Sequence, residues 1–167
     1  MEQLEFLWFP KRPPKRAGPK EWKVVSLRDC PVPPNRALCD TPAAVAAYWR
    51  EHIVTHPYFN PDVECFVVVH LDTRRRVKGH HLVGIGLIDS VLVHPREVFR
   101  AAIVAASHAI VVAHNHPSGE PTPSEADIRI TKELVRAGQL LRIEVLDHVI
   151  MGENRHDSLK ELGLWSP

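Results

Sequence analysis

The stretch VAHNHPSGEPTPSEAD, Val112–Asp127, decides how the rest of the chain is read. It follows the apolar run Ala109-Ile-Val-Val-Ala113, whose β-branched residues mark a buried strand. Side chains alternate faces along a strand, so His114 and His116 at its end project to one side and Asn115 to the other. A polar, proline-rich loop then leads to Ser124, which starts a helix expected to run to about Ala137, with Gly138 as its stop. Asp127 falls in the first turn, where the helix N-terminus favours an ionised carboxylate, the form a metal takes. Two imidazoles and a carboxylate form a candidate ligand set for one tetrahedral zinc ion per chain, with a fourth position open as in catalytic rather than structural sites. Ser124-x-x-Asp127 is also a capping box, and the two readings are compatible: Ser124 can begin the helix while Asp127 turns to a metal.

Working outward, Glu64-Cys-Phe-Val-Val-Val-His-Leu71 is a second buried strand. The charged turn Asp72 to Arg76 joins it to a strand expected over Val77 to Ile88, antiparallel to the first, with glycines allowing bulges. Thr41-Pro42 opens a helix from Ala43 to about Thr55, with Val45, Tyr48, Trp49 and His52 on its apolar face. His94-Pro-Arg-Glu leads into another helix, Glu97 to Ala106, and residues 141–151 supply a further strand or two. The order helix, strand, strand, helix, strand, helix, strand predicts an α/β fold: a mixed β-sheet flanked by helices. Residues 1–42 differ: eight prolines and a cluster of Lys and Arg predict an extended, basic N-terminal arm, with Trp22 to Leu27 as one edge strand, ahead of a globular domain over 43–167.

Composition narrows the class. A formal net charge of +1 gives no overall case for a nucleic-acid or membrane partner. Three cysteines without a CxxC pair argue against a disulfide framework or a thiolate zinc site and fit a reducing compartment. No apolar run approaches the roughly 18 residues of a membrane span. At the start, acidic and apolar residues precede the basic cluster, the reverse of a signal peptide, so the expected location is cytoplasmic.

The spacing H-x-H, seven residues, S, two residues, D resembles the JAMM motif of the JAB/MPN metalloproteases. The longer string HNHPSGEPTPSEAD, with VHPREVF upstream and LLRIEVLDHVI downstream, resembles the RadC family more narrowly, over roughly residues 59–152. The resemblance implies a JAB/MPN, cytidine-deaminase-like fold and a zinc-dependent hydrolase that cleaves an amide or isopeptide bond of a peptide or protein substrate. It implies His114, His116 and Asp127 as metal ligands and Ser124 as the group that hydrogen-bonds the tetrahedral intermediate. The general base is an upstream glutamate on the first core strand; Glu64 is the match, ahead of Glu51 in the leading helix and Glu97 at a helix start. The chain departs from the family at Lys78-Gly-His-His-Leu-Val-Gly-Ile-Gly-Leu87, which has histidines and no Thr after Gly86, and in its proline-rich arm, where longer relatives carry a helix-hairpin-helix module.

Two other readings stand beside the hydrolase. RadC proteins are traditionally labelled DNA-repair factors; nucleic acid would be held by the basic arm and Arg74-Arg-Arg76. The third is a non-catalytic scaffold that keeps the fold. Of the remaining histidines, His80 and His81 face opposite ways, His70, His94 and His108 are structural or surface residues, and His148 in LDHVI is a candidate to support the metal ligands from behind.

Overall fold

The computed structural model describes residues 37–57, 59–86 and 93–165. The expected arm and its strand at Trp22 to Leu27 lie largely outside them. Five strands form one sheet: β1 (Glu64–Leu71), β2 (Val77–Gly86), β3 (Ala109–Asn115), β4 (Glu144–Met151) and β5 (His156–Ser158), in the order β2-β1-β3-β4-β5. β1 runs antiparallel to both β2 and β3, β3 is parallel to β4, and β5 closes the far edge antiparallel. The sheet is mixed, as expected, and the helices cover both faces.

Alternation along β1 and β3 makes the two cores. Val67, Val69 and Leu71 with Val111 and Ala113 face α1 (Pro42–Tyr48) and a π-helical turn, Trp49–Ile53, from which Val45, Tyr48, Trp49 and Ile53 pack down. Phe66, Val68, Ile110 and Val112 face α2 (Pro95–Val104) and α3 (Glu125–Leu141), meeting Val98, Phe99, Ala102, Leu134 and Val135. Cys39 is already packed in the first core, and no described helix is long and apolar enough to cross a membrane. His52 is exposed, contrary to the sequence expectation, because the wider π-helical turn spends its inward positions on Trp49 and Ile53.

α3 does not stop at Gly138. It continues to Leu141, and Arg142 takes the left-handed cap at φ 58°. Gly138 is needed for close approach instead: a Cβ there would lie 2.5 Å from the Ile143 carbonyl oxygen, 3.0 Å from Val145 and 3.3 Å from Phe99. Gly138→Ala is therefore expected to destabilise the protein by about 1–2 kcal/mol, overpacking outweighing the roughly 1 kcal/mol gain in helix propensity. Urea unfolding measures it; a more stable variant contradicts the packing argument.

At the end of the sheet away from the 112–127 loop, a buried chain links Ser107 Oγ to His70 Nδ1 (2.9 Å) and His70 Nε2 to His81 Nδ1 (2.8 Å). Burial, helped by His81, Lys78 and His80, pushes the His70 imidazole down to about 4. The unfolded chain then binds the extra proton first, so this contribution to stability is complete above about pH 6.5 and is lost as pH falls towards 4. Its full size is up to about 3 kcal/mol. Unfolding at pH 7 and pH 4.5 is expected to show a smaller acid loss for His70→Gln than for wild type; equal losses contradict it.

Candidate metal centre

β3 delivers its last side chains to the loop, and α3 starts directly beside it. His114 is buried at 2% exposure, with its ring stacked on Phe66 at a centroid distance of 5.8 Å. His114 Nε2 lies 3.0 Å from His116 Nε2 and 3.2 Å from Asp127 Oδ1, and His116 Nε2 is 3.5 Å from Asp127 Oδ2. Among the described residues these three are the group of His, Cys, Asp and Glu side chains that could hold a metal ion, their ligand atoms all within 4.8 Å of one another. Two imidazoles and a carboxylate suit zinc.

The outer ring nitrogens are already engaged. His116 Nδ1 donates to the Glu120 carbonyl at 2.7 Å, so the neutral ring turns its Nε2 lone pair towards the centre. His114 Nδ1 is 2.8 Å from His148 Nε2, deep in the fold. The loop that makes the first contact is pinned at several points. Gly119 sits at φ 80°, its carbonyl accepts from Glu153 N at 3.0 Å, and Arg155 pairs with Glu120. A Cβ on Gly152 would fall 2.4 Å from the Gly119 oxygen, so the loop rests on bare backbone there.

Asp127 and Ser124 form the capping box expected from their spacing. Ser124 Oγ accepts from Asp127 N at 3.2 Å, and Asp127 Oδ2 accepts from Ser124 N at 2.8 Å and from Ser124 Oγ at 2.5 Å. Burial opposes ionisation of Asp127, but the His114 and His116 imidazoles beside it and the hydrogen bond from Ser124 outweigh it and hold the carboxyl well below the usual range. The bond to Asp127 in turn raises His116 against the opposing effect of burial.

Glu64 opens β1 on the face that carries Phe66. Phe66 pairs with His114 in the last pair of the β1–β3 ladder, two residues along β1 from Glu64. Its charge is among the causes that raise the His116 imidazole. Asn115, between the two histidines, turns to the other side and clamps the backbone around Glu64: Oδ1 accepts from Cys65 N at 2.9 Å and Nδ2 donates to the Val63 carbonyl at 3.0 Å. The sequence reading placed Asn115 on the opposite face but missed this role, because its partners lie some fifty residues away.

Residues 39–164, most of the chain, match the family described as RadC-like JAB domain. The chain belongs to the RadC family. A UPF0758 protein of Desulfitobacterium hafniense (strain DSM 10664 / DCB-2) is 47% identical over 129 residues, covering 77% of this chain and 55% of the relative. One from Moorella thermoacetica is 52% identical over 103 residues (62% and 45%), and one from Methanosarcina mazei 45% identical over 100 residues (60% and 44%). The chain thus spans about half the length of these relatives. The mixed five-strand sheet flanked by helices is consistent with a JAB-type domain.

Proposed function

We propose that this RadC-family domain is a zinc-dependent hydrolase of the JAMM type that cleaves amide or isopeptide bonds in peptide or protein substrates. The observation that carries the reading is the convergence of His114 Nε2, His116 Nε2 and an Asp127 carboxylate held ionised. This donor set fits zinc, since each imidazole has its outer nitrogen occupied and its inner nitrogen turned to the carboxylate. When bound, zinc polarises a substrate carbonyl and lowers the pKa of water to about 7.

The chain's own residues divide the remaining work. Glu64 takes the proton from the attacking water and passes it to the leaving amine. Ser124 Oγ, at the helix start, donates to the developing oxyanion once its proton leaves Asp127 Oδ2. Asn115 holds the strand that presents Glu64. The nucleic-acid reading rests on the basic arm, which lies largely outside the described residues, and on the Arg74–Arg76 turn, which Asp72 Oδ1 braces (2.8 Å to Arg74 N, 3.0 Å to Arg76 N) where β1 joins β2, at the end of the sheet away from Glu64.

The test is a screen of zinc-loaded protein against peptide and isopeptide libraries, with Glu64→Gln in parallel. Cleavage by wild type and not by the variant supports the assignment. A zinc-loaded wild type that cleaves none of them counts for the scaffold.

A further inference from the structure

We propose that Thr131, whose hydroxyl bonds His148 and the Asp127 backbone rather than a metal ligand's side chain, sets the ring tautomer of His114 through His148 and thereby keeps the centre able to take up metal. The proposal rests on the metal reading above and adds a positioning residue to it.

Four groups form one directional chain. Thr131 Oγ1 donates its single proton to the Asp127 backbone carbonyl at 2.5 Å. It therefore accepts from its other neighbour, His148 Nδ1, at 2.6 Å. A neutral His148 with its proton on Nδ1 offers a lone pair at Nε2, and His114 Nδ1 donates to it at 2.8 Å. His114 is then left with its lone pair on Nε2, the atom that faces His116 and Asp127. The chain starts on one ligand's ring and ends on the backbone of another, and Thr131 and His148 are both at 0% exposure, so water does not supply a substitute partner.

The geometry depends on a bulge. Val145 pairs with Ile110, but the next pair is Val111 with Asp147, so Leu146 is an extra residue in β4. The slip lets Val145 pack with α2 and α3 while His148, three residues on, faces the same side next to His114. Without it, strict alternation would turn His148 towards α1.

Removing the threonine hydroxyl reverses the chain. In Thr131→Val the His148 Nδ1–H has no acceptor, so the proton moves to Nε2, which then donates to His114 Nδ1. His114 must carry its own proton on Nε2, where it bonds Asp127 instead of a metal. Thr131→Ser keeps the hydroxyl and the original direction.

The experiment combines 15N spectra of the histidine rings with zinc affinity by chelator competition, on wild type, Thr131→Val and Thr131→Ser. The expected result is His148 protonated on Nδ1 in wild type, with or without zinc, and on Nε2 in Thr131→Val. The zinc dissociation constant is expected to rise about 10–100-fold in Thr131→Val and to return towards wild type in Thr131→Ser. A wild type with His148 protonated on Nε2, or a Thr131→Val that binds zinc as wild type does, or a Thr131→Ser as weak as Thr131→Val, overturns the proposal. A wild type that takes up no zinc overturns the metal reading, and the spectra of the metal-free proteins then decide the relay by themselves.

Discussion

Glu64→Gln is expected to lower turnover by about 10²–10⁴-fold while zinc content stays at the wild-type level. The amide keeps the size of the side chain and its place at the start of β1 but cannot accept the proton that the attacking water must lose. Metal content is unaffected because Glu64 is outside the three-residue ligand group. Single-turnover cleavage with metal analysis on the same samples reads both effects. Normal cleavage by Glu64→Gln would remove Glu64 from the mechanism and send the search for the base elsewhere.

The second large effect is at Ser124. Ser124→Ala is expected to cost about 10²–10³-fold in kcat through the lost oxyanion donor. It is also expected to cost about 1 kcal/mol of stability, because Asp127 N loses its acceptor in the capping box. The two losses separate experimentally: urea unfolding reads the cap, and kcat under conditions where the variant is fully folded reads the chemistry. Asp127 keeps its bond from Ser124 N, so zinc is retained. A variant that loses stability and keeps kcat would make Ser124 a cap alone.

What was legible in the sequence follows from distance along the chain. His114, His116, Ser124 and Asp127 lie within one strand end, one turn and one helix start, so period-two alternation and capping rules were enough to bring them together. The mixed sheet followed from strand and helix order in the same way. Glu64 needed the β1–β3 register, which local pattern does not contain; the family resemblance pointed to it, and its charge is felt at His116. Gly138 was misread because a glycine near a helix end ordinarily stops it, whereas here the constraint comes from the Ile143 carbonyl and Phe99 after the chain has folded back. His148 was seen as a candidate, but its partners were not: they depend on an extra residue in β4 and on how α3 docks.

The central claim is that His114, His116 and Asp127 hold a metal. Elemental analysis of protein purified without chelator or histidine tag, beside His114→Ala, tests it most directly. One zinc per chain in wild type, lost in the variant, is the predicted result. A wild type that contains no metal, even after dialysis against zinc, or a His114→Ala that retains it, would contradict the account.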